Sequence, residues 1–171
     1  NIFVKAAWLY LMIFLISCIG WIIRKNNVIK FSASLMLITA IPHTIALVVR
    51  SFLSGYPPVT NLYSSAIFIG WGAVLMGILF EYGFKKKGQG LGSIVGGIVG
   101  SLSLLIAYFL AGDGDTLHQL QAVLDTRFWL ATHVITITLG YMATFIAGVL
   151  GIFYILLGVW TKRMNDNAAI E

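Results

Sequence analysis

The chain has 171 residues, of which 59% are hydrophobic and 10% charged, and its mean hydropathy is +0.93. A soluble domain of this size could not bury so much apolar surface, so composition excludes that class and favours a membrane protein. The net charge of +5 does not indicate a nucleic-acid partner, because the basic residues are divided among short segments between apolar stretches.

Five apolar stretches follow one another, each of about 20 residues or more, which is the length that a helix needs to cross a bilayer. They cover residues 6–23, 31–53, 62–80, 91–111 and 128–160. The last stretch is long for one crossing, so we expect it to tilt or to extend beyond the hydrocarbon. The predicted fold class is all-α, a polytopic membrane protein with about five transmembrane helices in a single membrane domain, 1–171.

Basic residues predict the orientation in the membrane. If the stretches alternate in direction, eight of the eleven Lys and Arg residues fall on one side: Arg24, Lys25, Lys30, Lys85, Lys86, Lys87, Lys162 and Arg163. Segments rich in Lys and Arg stay in the cytoplasm. We therefore expect the N-terminus and the loops 54–61 and 112–127 outside, and the C-terminus in the cytoplasm.

Ionisable side chains lie inside two of the stretches. His43 is in the second and His133 is in the fifth. An ionisable residue in hydrocarbon is costly and usually marks a cofactor, an ion path or a proton path. Pro42 removes a helical hydrogen bond to the carbonyl of Ile38, so His43 could instead donate to that carbonyl. Arg50 could extend to the outer surface or pair with an anionic ligand group such as a propionate.

His133 lies one helical turn from Trp129, which fits the aromatic belt of a membrane interface. It could reach a ligand at the outer surface, or it could form a hydrogen bond to a carbonyl, to Thr132 or to Thr136. At 1.5 Å per residue, His43 is roughly 15 Å and His133 roughly 7 Å below the outer surface. Because of this offset, the two histidines need not be opposite ligands of one iron, and each could instead pair with a histidine that these 171 residues do not contain.

Other notable residues favour structural roles. Gly92, Gly96 and Gly100 recur every four residues, a spacing that lets a neighbouring helix approach closely. Cys18, the single cysteine, is expected to be a small buried residue. His118 lies in the segment 116–124, whose leucines share one helical face, so we expect a helix lying on the membrane with His118 in solvent.

Three segments resemble the haem-handling cytochrome c assembly family of the CcsA/ResC type, which is related to CcmC and CcmF. Gly55-Tyr-Pro-Pro-Val-Thr-Asn-Leu-Tyr-Ser-Ser65, continuing to Trp71, is similar to the family's outer loop and next helix. Leu124-Asp-Thr-Arg-Phe-Trp-Leu-Ala-Thr-His133, followed by Gly140-Tyr141, is similar to its Trp-Leu-x-x-His stretch. Ile41–Arg50 is similar to the helix before the outer loop. Together the resemblance covers residues 35–155.

The resemblance implies a role in cytochrome c biogenesis. In the family, the histidine matched by His133 is an outer-side axial ligand to haem, and His43 is a second candidate iron ligand. Trp129 and Arg50 complete the predicted cofactor site, with haem b as the cofactor. The implied function is to bind haem and present it on the outer face for covalent attachment to apocytochrome c. The implied partners are other cytochrome c assembly membrane subunits, in a haem lyase system of the bacterial inner membrane; whether this chain is itself an enzyme is left open.

Two departures from the family pattern stand out. Ser64 replaces the usual glutamate after Leu-Tyr, which leaves that acid without a counterpart. The family's tryptophan-rich WWD segment and the second outer histidine after it do not occur in these 171 residues, and Trp71 is no substitute. We therefore expect the chain to be part of a longer cytochrome c assembly domain.

Two other classes of function remain open from the sequence. A haem b electron-transfer subunit of a quinol-linked membrane complex predicts two ligand histidines at matched depths on facing helices. A non-haem transporter or assembly subunit predicts no bound chromophore, with the histidines in packing or proton transfer.

Overall fold

The computed structural model describes residues 2–83, 90–112 and 126–160. These residues form five α-helices and no strand: α1 (Ile2–Ile23), α2 (Asn26–Ser54), α3 (Leu62–Gly83), α4 (Leu91–Leu110) and α5 (Arg127–Trp160). Each helix is long and apolar enough to cross a membrane. The predicted all-helical, multi-pass fold is confirmed. The predicted surface helix 116–124, with His118, lies outside the described residues.

The helices α3 and α4 form a tightly packed antiparallel pair. Glycines of α4 allow this contact, because a β-carbon at Gly92 would collide with the carbonyl oxygen of Gly77 in α3, and one at Gly96 would press against the Gly77 backbone at 3.2 Å. A β-carbon at Gly100 would likewise meet the side chain of Val74. In a lipid bilayer the hydrophobic effect does not drive helices together, so small residues that let two backbones pack closely stabilise the contact. The packing role predicted for the α4 glycines is confirmed.

A carboxylate at the end of α3 caps the start of α4. Glu81 is only 9% exposed, and its two oxygens accept hydrogen bonds from the backbone N–H groups of Gly90 (2.8 Å) and Ser93 (3.3 Å). The first N–H groups of a helix lack partners within the helix, and its N-terminal dipole favours negative charge. Gly90, at the N-cap, has no side chain for this purpose. Glu81 therefore ties the two helices together across the turn.

The first helix covers the interior of the bundle. It packs against α4 and α2, with Tyr10 and Ile13 fully buried beside Met36 of α2. The hydroxyl of Ser17 donates to that of Ser32 over 2.9 Å, a buried hydrogen bond between α1 and α2.

The last helix lies at the edge and uses only one face for packing. Thr138, Met142 and Ile146 are buried against the bundle, where α5 contacts α3 and, less extensively, α4. Further along, the Phe153 ring contacts the Trp21 ring of α1, with centroids 5.7 Å apart. The opposite face of α5 is exposed, and this face carries the candidate site.

Candidate functional site

The loop between α2 and α3 is fixed by a reciprocal capping arrangement. The Asn61 side-chain oxygen accepts the Ser64 backbone N–H over 2.8 Å, and the Ser64 hydroxyl oxygen accepts the N–H groups of Asn61 and Thr60, both over 2.9 Å. In a capping box this third helical position is usually Glu or Gln. Ser64 performs the same capping function here, which gives a structural role to the residue at which the chain departs from the resemblance.

The same loop is anchored in the core. Val59 and Tyr63 are buried in the main apolar cluster, and the indole Nε1 of Trp71 donates to the Thr44 hydroxyl of α2 over 2.9 Å. Val134 of α5 packs against this cluster. The first half of α5 therefore packs against the same core cluster as the loop.

The side chain of His133 is exposed on the outward face of α5. It lines an open groove of about 400 Å³ with Trp129, Thr132, Thr136 and Ile137. Each threonine hydroxyl donates to a carbonyl oxygen of its own helix, over 2.9 and 2.8 Å respectively. No hydrogen bond joins His133 to any residue that the structure describes. Its imidazole is therefore accessible, and the predicted alternative of a bond to a neighbouring threonine is not formed.

His43 has the opposite environment, since its side chain is fully buried. Its Nδ1 lies 3.2 Å from the Tyr10 hydroxyl, and the Phe3 ring contacts it edge-on with centroids 5.8 Å apart. The backbone of Ile67 is close to the ring, but Nε2 makes no hydrogen bond. The partner is thus a side chain of α1 rather than the carbonyl of Ile38. Because the side chain is fully buried, iron cannot reach this imidazole in this arrangement.

Arg50 lies in a different groove. Its guanidinium carbon is 4.7 Å from the centroid of the Tyr63 ring, within the range of a cation–π interaction. The surrounding wall is formed by the second half of α2 and the first turn of α1, including Phe3. The helices α2 and α5 share no substantial contact. The groove of Arg50 is therefore separate from that of His133.

The predicted site residues consequently occupy three places. His133 and Trp129 share the groove on α5, His43 is in the core, and Arg50 is between α1 and α2. Among the described residues, no group of three or more His, Cys, Asp or Glu could hold a bare metal ion. Haem iron needs only axial ligands from the protein, so the groove of His133 is compatible with a haem bound on one side. The buried surroundings of His43 leave no room for haem as the helices are packed.

Sequence reasoning missed the residues that enclose His43 and the residue that caps α4. Tyr10 lies in the apolar stretch 6–23, which predicts only a membrane crossing, and Phe3 lies just before that stretch. Tyr10 does carry a hydroxyl within that stretch, which signals a need for a polar partner. Glu81 is the one acidic residue inside the first four apolar helices, and its position there is the signal that could have revealed the capping role.

The five helices and the exposed histidine at the start of α5 define a polytopic membrane protein with a candidate ligand-binding face. The chain belongs to the cytochrome c assembly protein family, whose model matches residues 59–170. The match covers the capped loop, α3, α4 and α5, and it confirms the resemblance found in the sequence.

Individual relatives agree with this assignment. The chain is 33% identical to the cytochrome c biogenesis protein CcsA of Guillardia theta over 156 residues, covering 88% of this chain and 50% of the relative. It is 32% identical to CcsA of Daucus carota over 149 residues, 85% of this chain and 42% of the relative. It is 30% identical to protein NrfI of Wolinella succinogenes over 123 residues, 72% of this chain and 13% of the relative. The chain thus spans half or less of the length of these relatives. No solved structure matches it.

Proposed function

We propose that this chain binds haem b at the start of α5 and presents it on the outer face of the membrane for attachment to apocytochrome c. The observation that carries the proposal is the exposed imidazole of His133, which makes no hydrogen bond within the described residues. Membership of the cytochrome c assembly family supports the choice of ligand.

In this proposal an imidazole nitrogen of His133 would hold the haem iron. Trp129 lies one turn earlier and is 62% exposed, so its indole can cover one face or edge of a flat apolar ring system. The hydroxyls of Thr132 and Thr136 are satisfied by their own helix and do not compete for the imidazole. When bound, haem supplies the reactive groups that form thioether bonds with the cysteines of apocytochrome c. The chain's own work is binding and orientation.

The groove has a wall only on the side of α5, because the face of His133 points away from the bundle. A haem bound there would need a second wall and a second axial ligand from outside the described helices. Other cytochrome c assembly membrane subunits, or further sequence of a longer assembly domain, are the proposed source. This fits a chain that spans half or less of the length of its CcsA relatives.

The remaining predicted haem contacts need a different arrangement. His43 could ligate iron only if the side chains packed around its ring, among them Phe3 and Tyr10, moved away. Arg50 could contact a propionate only of a haem that lies in its own groove. Both roles stay predictions, and the proposed site rests on His133 and Trp129 alone.

The proposed location is the bacterial inner membrane, with the N-terminus and the capped loop outside. The multi-pass helices support a membrane setting, and the relatives include a bacterial protein, NrfI of Wolinella succinogenes. Other relatives come from Guillardia theta and Daucus carota, so the kind of membrane remains part of the proposal.

The rival electron-transfer reading requires two histidines that share one haem between facing helices. His43 is buried against α1, whereas His133 points outward from α5. The two helices that carry them have no substantial contact. This geometry favours a single-sided haem site over a haem held between the two histidines of this chain.

The test is the absorption spectrum of the protein purified from its native membrane. We expect a Soret band, and the pyridine haemochrome of the extract should have the spectrum of haem b. A colourless protein from cells that make other haem proteins normally would contradict the proposal and favour the non-haem transporter or assembly subunit. A spectrum of covalently attached haem would contradict the choice of haem b.

A further inference from the structure

A second groove opens between the first turn of α1 and the second half of α2. Its volume is about 390 Å³, within the usual range of small-ligand sites. The walls are apolar except for one cation: Ile2, Phe3, Ile45, Ala46, Val49, Arg50 and Leu53. The lining residues from α2 are spaced three or four positions apart or are adjacent, so they form one continuous face of that helix.

Arg50 is held at this groove in a fixed orientation. Its guanidinium packs over the Tyr63 ring, and Tyr63 itself is only 6% exposed and belongs to the core. A guanidinium has five N–H donors in a planar fork, so it can keep this ring contact and its other interactions while it also binds an anion. A phosphate group can accept two parallel hydrogen bonds from a guanidinium, which the single ammonium group of a lysine cannot donate in that geometry.

The groove lining excludes an iron-ligating role. None of its seven residues is a histidine, cysteine, methionine or tyrosine. Phe3 separates the groove from His43, since the same phenyl ring lines the groove and packs edge-on against the imidazole. A ligand in this groove is therefore one with an apolar chain and an anionic group, without need of a metal ligand.

We propose that this groove binds one anionic phospholipid, whose phosphate contacts Arg50 and whose acyl chain lies along the apolar wall of α1 and α2. Arg50 lies near the end of α2, where a side chain of this length reaches the headgroup region. The wall residues Ile45 and Val49 are 57% and 47% exposed. Lipid tails are as apolar as these side chains, so the wall supplies shape and the cation supplies the preference for anionic headgroups.

The experiment uses the full protein in nanodiscs of phosphatidylcholine that contain a small fraction of photoactivatable phosphatidylglycerol. We expect crosslinks to the α1–α2 groove, and Arg50→Gln should reduce them about fivefold, as for one cation near the headgroups. Ala46→Phe should also reduce them, because it fills the groove and keeps the charge. The matched control is Arg24→Gln, an exposed arginine at the other end of α1, which should leave the groove crosslinks unchanged.

Three results would overturn the proposal. Equal crosslinking by photoactivatable phosphatidylcholine would show ordinary boundary lipid, and the absence of groove crosslinks from phosphatidylglycerol would show that this lipid does not occupy the groove. Haem loss in Arg50→Gln with unchanged lipid crosslinking would assign Arg50 to a propionate instead. Because the crosslinks are scored without reference to the Soret band, failure here is distinguishable from failure of the proposed haem function.

Discussion

The hydroxyl of Tyr10 lies 3.2 Å from Nδ1 of His43, and this pair joins α1 to α2 in the interior of the bundle. Both side chains are fully buried. The contact gives Nδ1 of His43 a partner, whereas Nε2 makes no hydrogen bond. Phe3 of α1 also contacts the imidazole ring, so this helix contributes to the burial of His43.

Replacing Tyr10 by Phe should destabilise the protein by about 1 kcal/mol, since a buried polar atom of His43 loses its partner while the aromatic packing is kept. The free energy of unfolding in mixed detergent measures this change. Tyr108→Phe is the matched control, because Tyr108 is 54% exposed and should lose little. Equal stability of the two variants would show that the Tyr10 hydroxyl does not support His43.

Replacing Glu81 by Ala should cost roughly 1–3 kcal/mol, because the first N–H groups of α4 lose their acceptor at a buried position. Glu81→Gln keeps one acceptor oxygen and should lose less. The same unfolding assay applies, with Ser34→Ala as the control, since the exposed Ser34 hydroxyl bonds only to its own helix. An alanine variant as stable as the parent would exclude the capping role.

The basic-residue distribution predicts that the 54–61 loop is external and the Lys85–Lys87 segment is cytoplasmic. In a variant without Cys18, a single cysteine at Ser54 should react with an impermeant thiol reagent in intact cells. A single cysteine at Gln89 should react only after the membrane is opened. Labelling of Gln89 but not of Ser54 in intact cells would reverse the orientation of the whole protein.

The fold was predictable from sequence because each membrane crossing is a local property. The run of apolar residues sets each helix, and the four-residue spacing of Gly92, Gly96 and Gly100 indicates a close contact. The partner of that contact was not predictable, because the pairing of α3 with α4 at Gly77 depends on residues far apart in the chain.

The candidate site was predictable only in part, for a related reason. The prediction for His133 rests on its residue type, its depth, the neighbouring Trp129 and the resemblance to a Trp-Leu-x-x-His stretch, and the exposed groove on α5 agrees with an accessible imidazole. His43 is likewise an ionisable residue within an apolar stretch, yet it is buried in contact with Tyr10 and Phe3 of another helix. Arg50 lies on the same face of α2 as His43, but it lines a groove whose other wall is formed by α1. Only tertiary packing separates these three environments.

The most direct test of the central claim is the haem spectrum of the His133→Ala variant, purified in the same way as the parent. The substitution removes the imidazole from an exposed position of α5, so the fold should persist while haem is lost or its low-spin spectrum changes. Free imidazole should partly restore that spectrum, whereas His118→Ala should have much less effect. An unchanged haem content and spectrum in His133→Ala would contradict the proposed ligand.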